Sequence, residues 1–190
     1  MNQALIFLLD TFLGLFALAL LLRFYLQVVR APARNPLSQF LAALTNFVVV
    51  PVRRFVPGLR GYDLSTLLLA WLTELLLVTL VLSLKGYQMS PAVGAALIGV
   101  MALAAVNLLK MFVYIVIVAV IAQAILSWVS PRSPAMPVLL SLTRPFLGVI
   151  QRRLPPVGGV DLSPLFVLIV CQVLLMWPVV ALERAASSML

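Results

Sequence analysis

Four stretches of about 20 mainly apolar residues set the folding problem for this chain: Leu5–Val29, Leu64–Leu84, Val106–Val129 and Leu162–Leu182. A stretch of that length crosses the hydrocarbon core of a bilayer as a helix, which satisfies its own backbone N–H and C=O groups. The composition agrees. With 64% hydrophobic and 9% charged residues and a mean hydropathy of +1.20, the chain carries far less charge than the roughly 25% of a soluble domain. The first stretch lacks a basic leader, contains Asp10 and is too long for a cleaved signal, so it reads as a retained span. The expectation is an all-α integral membrane protein with four transmembrane helices.

The chain also repeats itself. Residues 35–67 and 133–165, aligned without a gap at an offset of 98, share eleven identities in 33 positions. They include Pro36/Pro134, Leu44-Thr45/Leu142-Thr143, Arg54/Arg152, Pro57/Pro155, Gly61/Gly159 and Asp63-Leu64-Ser65/Asp161-Leu162-Ser163. A double arginine, Arg53-Arg54 against Arg152-Arg153, recurs with a slip of one residue. An internal repeat fixes architecture. Here it gives two parallel helix–amphipathic loop–helix units related by a pseudo-twofold along the membrane normal. The first unit is 1–85, with spans 5–29 and 64–84 around a basic loop, 30–63. The second is 105–190, with spans 106–129 and 162–182 around loop 130–161. Residues 86–104 link them. Within that linker, Ala92–Ala105 is short for a crossing, and two readings stay open: an interfacial or re-entrant piece, or an extension of the third helix. Its small residues Gly94, Ala95, Ala96 and Gly99 suit close helix packing.

Catalysis is disfavoured by what the chain lacks. It has no histidine, one cysteine (Cys171) and five acids spread along its length. That removes the usual general base, the Ser/His and Cys/His nucleophile pairs and any metal-ligand spacing. No glycine-rich phosphate loop is present. The expectation is a non-enzymatic protein without a cofactor.

Nine of the 13 Lys and Arg residues lie in the two inter-helix loops: Arg30, Arg34, Arg53, Arg54, Arg60, Arg132, Arg144, Arg152 and Arg153. Short basic loops are retained in the cytoplasm. Four spans put both loops on that face and both termini in the periplasm; five would export one loop. The loops lack the interleaved aromatics of a single-strand nucleic-acid platform. Anionic lipid headgroups account for the same arginines, so nucleic acid is the disfavoured partner.

Each loop opens with a helix-start pattern, Asn35-Pro36 and Ser133-Pro134. Leu37, Phe40, Leu41, Leu44, Phe47 and Val48 then form one apolar face, predicting an amphipathic helix in the headgroup region. The second copy is expected to be interrupted by Pro137 and Pro145. Arg53, Arg54, Arg152 and Arg153 would sit at headgroup depth and bind lipid or a partner. Each loop closes on Asp-Leu-Ser. Asp63 and Ser65, with Asp161 and Ser163, read as helix caps; the alternative is an ion-pair site between the arginines and the aspartate of one copy.

Ionisable residues inside a span are costly and point to function. At 1.5 Å per residue, Arg23 lies roughly 10 Å and Glu74 roughly 16 Å inside the basic edge, close enough for the arginine side chain to bridge. Their repeat equivalents are Gln123 and Gln172. These four polar residues form one expected layer, either as interhelical glue or as a polar track for an ion or proton. Near the opposite edge, Asp10 aligns with Lys110 and Lys85 with Glu183, a pattern of interfacial charge pairing.

The segments LLRFYLQ, NPLSQF, PVRRFVPGLRGYDLS, SWVSPRSP and LTRPFLGVIQRRLPPVGGVDLSP, together with the duplication, resemble the YggT family of bacterial and plastid membrane proteins. The first copy departs from the family pattern where Phe47 stands opposite Pro145 and Thr66 opposite Pro164. The resemblance implies a multi-pass inner-membrane protein without an established catalytic activity. It also implies links to osmotic stress and potassium uptake, to cell division and nucleoid or plastid DNA distribution, and to cytochrome assembly. The expected function is a membrane scaffold or assembly factor whose partners are membrane lipids, other membrane or division proteins, or a second copy of itself. The rival is a small potassium channel or transport accessory protein with Arg23 and Glu74 in its path.

Overall fold

A computed structural model describes residues 2–32, 35–56, 58, 63–87, 93–152 and 161–190. They form seven helices: α1 (Asn2–Val28), α2 (Pro36–Val52), α3 (Leu64–Leu84), α4 (Val93–Val129), α5 (Met136–Gln151), α6 (Ser163–Leu174) and α7 (Val180–Ser187). A π-helical turn, Leu175–Val179, joins α6 to α7. Pro178 lies in that turn; it has no N–H to give and its ring displaces the preceding carbonyl, which widens the coil locally. Four helical segments are long and apolar enough to cross a membrane: Asn2–Val28, Leu64–Leu84, Gly94–Val129 and Ser163–Ser187.

The first half is α1–α3 and the second α4–α7. Residues 93–105 are the opening turns of α4, which runs unbroken for 37 residues, about 55 Å at helical rise and well beyond the roughly 30 Å of a bilayer core. The added length packs against α7. An added Cβ on Gly99 would stand 3.0 Å from the Ala186 carbonyl oxygen and 3.1 Å from the Met189 Cβ. A side chain there would force the helices apart.

The core begins with small residues. Ala17 on α1 and Ala70 on α3 are both 0% exposed, so the two backbones approach closely without bulky side chains between them. Leu20, Leu21, Tyr25 and Leu26 of α1 then join Leu41 and Val49 of α2, Leu108, Ile115 and Ala119 of α4, and Val138 and Leu142 of α5 in one cluster across both halves. A second cluster lies within the second half: Val113, Val116, Val120, Leu147, Val167 and Cys171. Many other apolar side chains face outward, among them Phe7, Phe12, Val118, Trp128 and Trp177. On a soluble protein so much exposed apolar surface would be a liability; here a bilayer covers it.

The two surface helices form for different local reasons. Asn35 is in extended conformation and its side chain accepts the Ser38 N–H at 2.8 Å, with Pro36 at the first helical position. The second copy differs from expectation. α5 starts at Met136, two residues after Ser133-Pro134, and no side chain caps it. It is also continuous, although interruption at Pro137 and Pro145 was expected. Pro137 falls in the first turn, where its missing N–H has no helical partner to lose, and Pro145 removes only the bond to the Ser141 carbonyl. Burial of Val138, Leu142, Thr143 and Leu147 holds the helix together across that gap.

Candidate functional site

The amphipathic helices α2 and α5 lie at the same end of the bundle. The Tyr25 hydroxyl near the end of α1 donates to the Leu142 carbonyl of α5, and the Tyr25 ring meets Phe112 of α4 edge to face at 5.0 Å. This contact ties the two halves together on the arginine-rich face.

Each surface helix is pinned to its span by one polar pair. Arg23 of α1 donates to the Thr45 hydroxyl of α2 at 2.6 Å, and Thr45 donates back to the Leu41 carbonyl at 2.6 Å. In the second half, the Thr143 hydroxyl of α5 is bonded to the Gln123 amide oxygen and lies 2.8 Å from the Leu139 carbonyl. Thr45 and Thr143 are 0% and 1% exposed. Buried between surface helix and span, these hydroxyls have no water to turn to, so the pairing fixes where each surface helix sits.

The arrangement of Asp63 is different from a backbone cap. Its side chain makes no hydrogen bond to the N–H groups that open α3. It forms an ion pair with Arg53, whose Nε donates at 2.8 Å, and it accepts the hydroxyls of Ser65 and of Thr66, the latter at 2.6 Å. Burial alone would raise the Asp63 carboxyl; the Arg53 guanidinium and the two hydroxyls outweigh that and hold it at about 2. Asp161 stands one residue before Leu162, the N-cap position of α6, and accepts the Ser163 N–H at 2.9 Å and the Gln151 amide at 2.8 Å. Its slight burial acts upward, and the bonds from Ser163 and Gln151 outweigh it, lowering the carboxyl below its usual range. Pro164 in place of Thr66 removes one hydroxyl, and Gln151 in place of Arg53 removes the counter-charge. The two aspartates therefore differ in partner: Asp63 is ion-paired and Asp161 is held by neutral donors. The Ser163 hydroxyl, 1% exposed, has no hydrogen-bond partner among the described residues.

The four polar span residues do not pair with one another. Arg23 turns to Thr45, not to Glu74. Glu74 is 2% exposed and accepts a long bond, 3.4 Å, from Asn107 of α4. Gln123 belongs to the Thr143 pair, and Gln172 faces outward from α6. At the opposite end, Lys110 and Glu183 form an ion pair at 2.8 Å within the second half.

Arg54 and Arg152 are exposed at the ends of α2 and α5; Arg153 lies outside the described residues. The pairing residues that the sequence reading missed are Thr45, Thr143, Asn107 and Tyr25. The two threonines were visible as repeat identities and Asn107 as a lone polar residue in an apolar run. Tyr25 carried no such signal. Among the described residues, no cluster of three His, Cys, Asp or Glu side chains is placed to hold a metal ion.

Fold and face together define a multi-pass, two-repeat helical membrane protein with amphipathic helices gathered at one basic end. The family model for CCB3/YggT matches residues 2–84 and 102–182, and the chain belongs to that family. It is 38% identical over 168 residues to the uncharacterized protein PA0392 of Pseudomonas aeruginosa, covering 87% of this chain and 83% of that one. The uncharacterized protein YggT of Escherichia coli K12 is 33% identical over 189 residues, 99% of this chain and 96% of its own. No solved structure matches the chain.

Proposed function

We propose that this protein is a non-enzymatic scaffold of the bacterial inner membrane. It would hold two basic amphipathic helices on the cytoplasmic surface, with both termini in the periplasm. The observation that carries this reading is the double pin: Arg23–Thr45 and Gln123–Thr143 fix α2 and α5 at one end of the bundle. Arg54 and Arg152 are left facing outward. Such a face suits anionic headgroups and a membrane or division protein, or a second copy of the chain, in envelope maintenance under osmotic stress. The channel reading needs Arg23 and Glu74 on one path, and their partners lie on different helices, Thr45 on α2 and Asn107 on α4.

Potassium flux through purified protein in liposomes tests the reading. A scaffold gives no flux above protein-free vesicles. Flux that collapses in Glu74→Gln would establish conduction instead. In cells, Arg54→Glu with Arg152→Glu should abolish osmotic tolerance at unchanged membrane levels; full tolerance would contradict the scaffold.

A further inference from the structure

A cleft of about 650 Å³ opens between the end of α1 and the outer side of α5, lined by Val29, Arg30, Leu140, Arg144, Gly148 and Arg152 among others. Arg144, Gly148 and Arg152 recur at four-residue spacing, so they form one stripe along α5. Arg30 faces that stripe from the other wall. All five acids of the chain are among the described residues, and none of them pairs with these arginines. Around the guanidinium groups the lining is apolar, with Leu140 48% and Val149 57% exposed. Unpaired positive charge beside exposed hydrocarbon, at the basic edge of a membrane bundle, is the chemistry of a phosphate on an acyl chain.

The backbone adds an independent observation. Arg30 has φ of +51°, the left-handed conformation that favours glycine. It closes α1 through Arg30 N–H to the Gln27 carbonyl at 3.1 Å and Ala31 N–H to the Leu26 carbonyl at 2.9 Å. α3 ends in the same way, with Gly86 to Ser83 and Tyr87 to Leu82, both at 3.1 Å, and there the left-handed residue is a glycine at φ +69°. Helix termination alone would place glycine at position 30 as well. An arginine there carries a backbone cost that glycine would not, and its side chain lines the cleft. The cleft has no equivalent on the other side of the repeat: the counterparts of Arg144 and Gly148 are Asn46 and Val50, and that of Arg30 is Ser130, so of its three arginines only Arg152 recurs, as Arg54.

We propose that this cleft is a binding site for the phosphate of an anionic phospholipid, held by Arg30, Arg144 and Arg152 between the two repeats. The inference rests on the reading that this end of the bundle lies at a membrane surface, and it gives that surface a defined lipid ligand. Native mass spectrometry of the purified protein tests it directly, and no partner protein or flux measurement enters the result. The protein is titrated with dioleoylphosphatidylglycerol, with dioleoylphosphatidylcholine, and with sodium phosphate as soluble competitor.

Wild type should retain phosphatidylglycerol about tenfold more tightly than phosphatidylcholine, the scale of one charge-assisted bond. Arg30→Gly should remove that preference while the melting temperature holds or rises, because glycine relieves the left-handed backbone. Gly148→Leu leaves all three arginines in place and projects into open space, with nothing within 4 Å of the new Cβ; it should exclude the lipid by volume. Equal retention of the two lipids by wild type would overturn the site. Undiminished phosphatidylglycerol retention by folded Arg30→Gly would do the same. Displacement of the lipid by millimolar phosphate alone would identify a free anion as the occupant and overturn the lipid assignment.

Discussion

Arg53 at the end of α2 and Asp63 at the entrance of α3, ten positions apart, are joined by an ion pair, and Gln151 and Asp161, their counterparts in the second repeat at the same separation, are joined by an uncharged donor. The link is the same and its energetics are not. Asp63 is 4% exposed and surrounded by hydroxyls, so it cannot lose its cation and remain comfortably ionised. Asp161 is exposed to solvent and needs no counter-charge.

Arg53→Ala should therefore destabilise the protein by about 1–3 kcal/mol, because a buried carboxylate is left without its charged donor. Gln151→Ala should cost less than about 1 kcal/mol, as expected for an exposed bond. Arg53→Gln, which copies the second repeat, should fall between them. Thermal unfolding in mild detergent measures all three.

The depressed Asp63 carboxyl also fixes a pH dependence. Its folded value is about 2 against an ordinary 3.8, so the unfolded chain binds the proton first as pH falls. The stabilisation is fully present above about pH 5 and is lost progressively as acid brings the pH toward 2. Asp161, also lowered, acts in the same direction. Asp63→Asn should flatten most of this slope in a series of melting temperatures taken between pH 6 and pH 3.

Loss of the pinning hydroxyls should be unequal. Thr45→Val strands the Arg23 guanidinium inside the bundle and should cost about 1–3 kcal/mol. Thr143→Val leaves only a neutral amide and should cost about 1 kcal/mol or less. Hydrogen exchange in nanodiscs should show α2 opening in the first variant and α5 in the second; the reverse pattern would contradict the pinning account.

Gly99→Leu should lower stability by about 1–3 kcal/mol by overpacking the α4–α7 crossing. Gly94→Leu, on the same helix, should be tolerated, since nothing lies within 4 Å of its added Cβ. A pair of melting curves decides this.

The spans were legible because their signal is length and continuity of hydrophobicity, which a bilayer reads directly. Asn35-Pro36 announced α2 through cap chemistry that acts within four residues. Pro137 and Pro145 misled, because proline is costly only where a helix needs its N–H and has no packing to replace it. The polar span residues could be found one by one but not paired. Depth along two helices says how far Arg23 and Glu74 stand from an edge; it does not say which way each side chain turns about its axis. That rotation is set by packing, and packing sends Arg23 to Thr45 and Glu74 to Asn107. The cation at Arg30 was counted as loop charge, since no local pattern distinguishes a left-handed arginine from an ordinary one.

The central claim is that both surface helices share one face, the cytoplasmic one. Its most direct test labels single cysteines at positions 54, 152, 2 and 188 in a Cys171→Ala background, using a membrane-impermeant maleimide on right-side-out and inside-out vesicles. All four native side chains at these positions are exposed. Positions 54 and 152 should react only in inside-out vesicles, and 2 and 188 only in right-side-out ones. Reaction of 54 and 152 from opposite faces would contradict the account.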